Sequence, residues 1–317
     1  RTWRDRFGQL CIQGENELEA QVRAARLLAR HRDESTQEDA LKVWDLAIAS
    51  GMAAEFYAQT NFLYSDEDLW KVLVERLGEA GDKELRARVL LFDLKDEEAA
   101  RAAAEEAEAA IVLQALEDLE EGRANWRKLQ RQVEKEYEDL DGDDKNLKVY
   151  LRMADLARAM DDQDKEIDAL RRLERQVDDE LVSNRLMELY RATEKWPMYV
   201  DLLKKEADGL GEEFAEDQVD ILYEIIRVYR TEMNHDRMAI NIYKEILGIN
   251  PEDLRAIDEL IELYDTMNMS SDLISMLQSK AELVEGKGAK VEICSDIAQL
   301  FLEKFRNQAE AIKAYEQ

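Results

Sequence analysis

Apolar residues recur along the chain at steps of three and four, which is the spacing of one face of an α-helix. The first clear stripe predicts a helix over residues 15–32. Ser35 or Thr36 is expected to be the N-cap of the next helix, with Asp39 three residues after Thr36. Further stripes predict a helix, a short turn and a second helix over residues 53–64 and 67–80. The N-terminal part is therefore predicted to consist of consecutive helices joined by short turns.

The pattern is least regular over residues 82–121. Residues 99–110 are almost all alanine and glutamate, which are strong helix formers, and apolar residues follow them. A helix of unusual length is therefore expected here, rather than a flexible linker. On this basis the chain is divided into two parts. Residues 1–121 are expected to form irregular helical repeats, and residues 122–317 a more regular array that continues from the first part.

After residue 122 the apolar stripes alternate between the two helices of successive pairs. From Tyr150 onward, one pair follows another every 33–38 residues. The strongest signal lies in residues 238–317, where the pattern occurs twice at an offset of 72 residues, as from Tyr243 to Tyr315. A fixed offset that covers several apolar positions indicates a repeat architecture. The equivalent pairs include Val219 and Val291, Ile221 and Ile293, Ile225 and Ile297, and Tyr229 and Phe301.

Composition supports this prediction. Charged residues make up 37% of the 317 residues, and the chain has two prolines and twelve glycines, which fits long helices with short turns. The apolar content of 45% suffices for a continuous core, so disorder is not expected. The net charge of −29 argues against a general basic surface for nucleic acid. No run of about eighteen apolar residues is present, so no membrane span is predicted.

The spacing resembles that of the tetratricopeptide (TPR) repeat, a pair of helices of about 34 residues. The segment that follows the family pattern best has one extra residue in its turn and carries Leu222, Ile225, Ile226, Tyr229, Ala239, Tyr243, Ile246 and Pro251. The resemblance is good over residues 147–317, looser over 15–80 and poor over 82–121. It departs from the family where Met187, Ile226 and Ile261 replace small residues. The resemblance implies an all-α, right-handed superhelical solenoid of antiparallel helix pairs.

In TPR arrays the first helix of each pair lines a concave groove, so the resemblance also implies candidate binding residues. Arginines there could hold the carboxylates of an acidic partner bidentately, in a chain that is otherwise acidic. The alternative is that these arginines pair with carboxylates of the array itself. The lysine–asparagine clamp of TPR domains that bind chaperone tails is not matched. The predicted partner-binding residues are Lys148, Arg158, Asn184, Arg191, Tyr223, Arg227 and Arg230.

The sequence shows no arrangement that would support catalysis. His31 and His235 lack a second ligand at helical spacing, and the acidic loop at 139–144 lacks the glutamate that closes an EF-hand, because Arg152 stands in its place. Phosphate-loop, dinucleotide and nucleophile-elbow motifs are not found. Cys294 lies at an apolar helix position and is expected to be a buried thiol rather than half of a disulfide. We therefore predict no enzyme activity, no cofactor and no metal.

Three hypotheses of function remain at this point. The first is a non-catalytic scaffold that binds another protein, as a peptide segment or a folded domain, in the groove or along an edge; long TPR arrays of this kind assemble bacterial polarity, motility or secretion complexes. The second is a regulatory or substrate-recruiting arm of a larger enzyme. The third is a structural protein that self-associates through its exposed ends. The chain is expected to be cytoplasmic and to be part of a longer protein.

Overall fold

The computed structural model describes residues 3–15, 17–32, 34–64, 66–177, 179–211 and 214–316. Within these ranges the chain is all-helical, and each helix packs against its neighbours in sequence. The predicted all-α class is therefore confirmed. Contacts divide the chain into two compact units, Arg1–Lys195 (unit 1) and Trp196–Gln317 (unit 2).

Unit 1 contains eleven α-helices and one short 3₁₀ turn, Asn61–Leu63, in its described part. The helices are α1 (Trp3–Gln13), α2 (Leu18–Arg30), α3 (Gln37–Ala49), α4 (Ala53–Thr60), α5 (Glu67–Ala80), α6 (Lys83–Phe92), α7 (Glu97–Ala107), α8 (Ala110–Glu136), α9 (Gly142–Ala159), α10 (Gln163–Glu174) and α11 (Glu180–Ala192).

Unit 2 contains seven α-helices in its described part, and a π-helical segment, Val228–Glu232, extends the second of them. The helices are α12 (Trp196–Gly209), α13 (Ala215–Arg227), α14 (Asp236–Ile249), α15 (Leu254–Thr266), α16 (Ser270–Leu283), α17 (Lys287–Glu303) and α18 (Gln308–Glu316). Their bounds agree with the helix pairs that the apolar stripes predict after residue 196.

Acidic residues begin many of these helices. A side-chain oxygen accepts hydrogen bonds from backbone N–H groups of the first turn, which otherwise lack partners. Of the two N-caps expected from the sequence, the structure has Thr36, which forms a reciprocal capping box with Asp39. Part of the large acidic excess therefore specifies where helices start. The aspartates that act in this way are Asp66, Asp82, Asp96, Asp162, Asp179 and Asp253.

Aromatic residues of α3, α4 and α5 fill the core of unit 1. The Trp44 ring is fully buried and meets Phe56 edge-on, with 4.8 Å between ring centroids, and Trp70 at 5.9 Å. Tyr57 meets Trp70 edge-on, with 6.2 Å between ring centroids. Such edge-to-face pairs add to the stabilisation from burying apolar area. The cluster joins the first five helices into one apolar core.

Unit 1 is also closed by contacts between elements that are distant in sequence. Helix α9 packs against α6, and α11 packs against the 3₁₀ turn. Ion pairs reinforce this closure between the early helices and α9–α11. A regular array of nearest-neighbour pairs does not predict these contacts. The long-range ion pairs are Arg26 with Glu180, Arg32 with Glu188, Lys95 with Asp161, and Arg158 with Asp93.

The irregular region differs from the long helix that the sequence predicts. Helix α7 ends at Ala107 because Glu108 adopts a left-handed conformation with φ of 52°, and α8 begins two residues later. Helix α8 is itself kinked at Asn125, where the backbone is non-helical. The Asn125 side chain then accepts a hydrogen bond from the Lys128 backbone N–H, which gives the second half its own N-cap. The region is thus helical, as expected, and α8 is long at 27 residues, but Glu108 divides the region into two helices.

The π-helical segment explains the extra residue in the best TPR-like pair. A π-turn closes hydrogen bonds across five residues instead of four and so accommodates one inserted residue within a helix. In unit 2 this turn covers Val228–Glu232, and it buries Val228 and Tyr229. The backbone N–H of His235 then bonds to the Tyr229 carbonyl at 2.7 Å, which ends the helix before α14. The insertion thus leaves the packing of α13 on α14 intact.

Candidate partner-binding site

The predicted binding residues fall into two groups, one in each unit. Unit 1 holds Lys148, Arg158, Asn184 and Arg191, and unit 2 holds Tyr223, Arg227 and Arg230.

Arg158 lies inside unit 1, where its guanidinium forms an ion pair with the fully buried carboxylate of Asp93 and donates to the Asn61 carbonyl oxygen at 3.1 Å. The Tyr57 hydroxyl donates to the other oxygen of Asp93 at 2.6 Å. Burial raises the pKa of Asp93 to about 6, although Arg158 and Tyr57 both act in the opposite direction. This buried triad joins α4, α6 and α9.

Arg191 lines a polar cleft of about 380 Å³ in unit 1, together with Arg158. Its Nε donates to Glu188 on the same helix at 3.2 Å. Arg32 reaches the same carboxylate from the end of α2, with both oxygens of Glu188 within 3.0 Å of one guanidinium nitrogen. Glu188 thus has two cationic partners, and the charge of Arg191 is already balanced within the unit.

Arg185 also lines this cleft and was not predicted from the sequence. Its side chain is 5% exposed and bonds to Asp155 at 2.7 Å and to Glu166 at 2.9 Å. Asp155 and Glu166 lie on α9 and α10, so Arg185 joins three consecutive helices. The cleft therefore pairs its arginines with carboxylates of the unit. These ion pairs hold the helices together. They correspond to the alternative stated above, in which the groove arginines pair with carboxylates of the array itself.

Lys148 and Asn184 do not meet at this cleft. Lys148 is exposed on α9, and Asn184 is buried on α11. The amide nitrogen of Asn184 has no hydrogen-bond partner among the described residues. The cleft lining includes neither residue.

In unit 2, a polar strip connects α13 to the start of α15. The Tyr223 hydroxyl donates to Asp253 at 2.9 Å, and the same aspartate caps α15. The guanidinium of Arg255 lies over the Tyr223 ring, 4.1 Å from its centroid, which is a cation–π contact. Burial, with the nearby carboxylate of Asp253, raises the pKa of Tyr223, so its hydroxyl remains a donor. Arg255 is exposed, and no carboxylate pairs with it in the part of the chain that the structure describes.

Arg227 and Arg230 flank this contact. Arg227 bonds to Glu224 on its own helix through Nε at 2.8 Å and Nη2 at 2.6 Å, and its side chain remains 41% exposed. Arg230, in the π-helical segment, forms an ion pair with Glu259 of α15. We call the set Tyr223, Arg227, Arg230, Asp253, Arg255 and Glu259 the α13–α15 strip. The structure thus brings the three predicted residues of unit 2 onto one surface.

Arg255, Arg32 and Arg185 are not among the binding residues predicted from the sequence, and they differ in how far the sequence indicates their role. Arg255 lies at a groove-facing position of the TPR-like pattern, so the sequence carries a signal for it, but nothing in the sequence shows its contact with Tyr223. Arg32 has no such signal, because its partner Glu188 is brought close only by the closure of unit 1. Arg185 has none either, because its contacts depend on how the consecutive helices α9, α10 and α11 pack.

The described residues offer little for metal or redox chemistry. Nowhere in the described ranges are three histidine, cysteine, aspartate or glutamate side chains grouped so that they could hold a metal ion. Cys11 is buried and Cys294 half-buried, and both are free thiols. Among the described helices, none combines the length and the apolar character that crossing a bilayer requires.

The chain matches no model of a protein family, and it is not significantly similar to any curated protein. The function must therefore be argued from the geometry of its own residues.

Proposed function

We propose that this chain is a non-catalytic scaffold that binds another protein on a TPR-like array of helix pairs. In this proposal the array of unit 2 follows a right-handed superhelical path, and the first helices of its pairs, α13 and α15, present the binding surface. The recurrence of the apolar pattern at 72 residues and the sequential packing of α13 to α18 support such an array.

The single observation that carries the proposal is the contact of Arg255 with the ring of Tyr223. The guanidinium of Arg255, an exposed residue, lies over an aromatic ring whose hydroxyl donates a hydrogen bond to Asp253. The ring restricts the arginine before any partner arrives, so less conformational entropy is lost on binding. Its donor edge has no intramolecular carboxylate among the described residues. An ordered arginine of this kind suits recognition of a carboxylate.

The surroundings define the chemistry of the partner. Arg227 provides a second, half-exposed guanidinium on α13. The net charge of −29 would repel a uniformly acidic protein, so the acidic groups of the partner should be local. The proposed ligand is a segment with aspartate or glutamate side chains at the α13–α15 strip and uncharged or basic residues beyond it.

The experiment that tests this proposal uses charge reversal. The Arg227→Glu and Arg255→Glu double variant is used as bait in an affinity capture from the source cell, beside the wild-type chain. The matched control is Arg237→Glu, since Arg237 is an exposed arginine of α14 outside the strip. Captured proteins that depend on the strip should be lost with the double variant and kept with the control. Circular dichroism confirms that all three proteins retain their helicity.

The affinity of a purified partner then gives the quantitative result. Each charge-assisted hydrogen bond contributes about 1.5–3 kcal/mol, so losing both arginines should weaken binding at least tenfold. The control should remain within about twofold of wild type. Equal affinities for the double variant and the wild type, with helicity intact, would show that the strip is not the binding site.

A further inference from the structure

A second cleft of unit 1, about 590 Å³ in volume, runs along one face of α10, and we call it the α10 cleft. Tyr150 of α9 and Lys195, which follows α11, complete its wall. Four cationic side chains and two carboxylates line it, although the chain as a whole has a net charge of −29. The cleft is therefore a local excess of positive charge. Its charged lining residues are Asp164, Asp168, Arg171, Arg172, Arg175 and Lys195.

Both carboxylates of the lining already have cationic partners in the cleft. Asp168 lies 3.0 Å from Arg172, one turn further along the same helix. The carboxylate of Asp168, with a hydrogen bond to Tyr150, raises the pKa of Arg172. Asp164 accepts a hydrogen bond from Lys195 at 3.3 Å. These pairs balance the two carboxylates, so the charge excess of the α10 cleft comes from its other two cations.

Those two cations are Arg171 and Arg175. They lie four residues apart at the end of α10, so their side chains leave the same face of the helix. Both residues are exposed, and neither pairs with a carboxylate in the part of the chain that the structure describes. Basic residues at a helix C-terminus complement the helix dipole, but that role does not require them to line a cleft. Two adjacent, uncompensated guanidiniums suit a ligand group that carries two negative charges.

The surroundings of the cleft restrict the kind of anion. The net charge of −29 would repel a long polyanion such as a nucleic acid. A phosphate monoester concentrates a charge of about −1.5 to −2 on one compact group at neutral pH, and it offers three acceptor oxygens. A carboxylate carries a single charge and would balance only one of the two arginines. A phosphate monoester is therefore the group that fits this cleft best.

We propose that the α10 cleft binds a phosphate monoester, carried by a phosphorylated side chain of a partner protein or by a small molecule. Arg171 and Arg175 donate to its oxygens, and Arg172 and Lys195 add positive charge from the same lining. The cleft lies in unit 1 and shares no residue with the α13–α15 strip. It therefore stands or fails independently of the proposed function.

The test titrates the whole chain into three labelled peptides that are otherwise uncharged and carry phosphoserine, serine or glutamate at one position. Binding is followed by fluorescence anisotropy. The phosphoserine peptide should bind at least about tenfold more tightly than the serine peptide and at least about threefold more tightly than the glutamate peptide. Inorganic phosphate is then added as a competitor. Displacement near the Kd of the peptide assigns the site to a small phosphorylated molecule, and displacement only at much higher concentration assigns it to a protein segment.

Variants of the chain connect this binding to the cleft. The Arg171→Gln and Arg175→Gln double variant should bind the phosphoserine peptide at least about tenfold more weakly than wild type. The matched control is the Arg127→Gln and Arg131→Gln double variant, which changes two exposed arginines at the same spacing on α8, outside the cleft. The control should remain within about twofold of wild type. All four arginines are exposed, so circular dichroism should show unchanged helicity.

Three results would overturn the proposal. The first is equal binding of the phosphoserine and serine peptides, or equal binding of the phosphoserine peptide by the cleft double variant and the wild type. The second is a glutamate peptide that binds as tightly as the phosphoserine peptide, which would assign the cleft to carboxylates. The third is a single-stranded oligonucleotide that binds more tightly than the phosphoserine peptide and is lost in the cleft double variant, which would assign the cleft to nucleic acid.

Discussion

Replacing Arg158 with methionine should destabilise unit 1 strongly, and more at neutral than at acidic pH. Methionine keeps much of the apolar stem but removes the guanidinium that neutralises Asp93, whose side chain is fully buried. Removing one partner of a buried ion pair costs about 3–5 kcal/mol, because the other charge is left without compensation. The hydrogen bond from Tyr57 remains but cannot balance a full charge.

The pH dependence follows from the pKa of Asp93, which burial raises to about 6. At about pH 5 this carboxyl is mostly protonated and uncharged, so removing the guanidinium leaves less uncompensated charge. The destabilisation caused by Arg158→Met should therefore be smaller. At about pH 7 it is ionised in the wild type, and the full cost applies.

Urea unfolding followed by tryptophan fluorescence measures this effect, because Trp44 and Trp70 lie in the core of unit 1 and report on it directly. The control is Arg191→Met, which removes a partly exposed arginine whose carboxylate partner, Glu188, retains Arg32. The control should cost no more than about 1 kcal/mol. If Arg158→Met costs no more than the control, or costs the same at both pH values, the buried triad does not close unit 1.

Three further predictions concern local features. Asp93→Asn cannot titrate. Because the raised pKa of Asp93 means that the folded state holds the proton more tightly, the wild type should lose about 2 kcal/mol of stability relative to this variant as the pH rises from about 4 to about 7. Parallel urea midpoints across this range would contradict this. Asp179→Ala, which removes the N-cap of α11, should cost about 1 kcal/mol in the same assay. Asp179→Asn should cost less, because an asparagine side chain can still accept the capping hydrogen bonds. Gly81→Ala should also destabilise by about 1 kcal/mol, since Gly81 ends α5 with φ of 81°. Gly248→Ala should not destabilise, because Gly248 lies in the last turn of α14 with open space at the added Cβ.

Features that depend on local sequence could be predicted, and the capping box of Thr36 and Asp39 is an example. Both partners lie within three residues of each other, so the spacing alone determines the contact. The same holds for the helix pairs of unit 2, whose apolar stripes reflect packing on neighbouring helices. The left-handed Glu108 could not be predicted in this way, because alanine and glutamate favour helix on both sides of it.

Contacts between distant residues explain the remaining differences. Arg158 finds Asp93 65 residues earlier in the chain, and no periodic pattern connects the two. The TPR-like pattern placed Arg158 and Arg230 in a groove on the basis of register, but register does not show that each has a carboxylate partner in the fold. The position of Arg255 over the Tyr223 ring depends on how α13 and α15 approach each other, which the sequence does not show.

The central claim is that the α13–α15 strip binds an acidic segment of a partner protein. The most direct measurement is the affinity of the captured partner, determined by isothermal titration calorimetry for the wild type, the Arg227→Glu and Arg255→Glu double variant, and the Arg237→Glu control. We predict at least tenfold weaker binding for the double variant and an unchanged affinity for the control. Equal affinities for all three correctly folded proteins would contradict the claim.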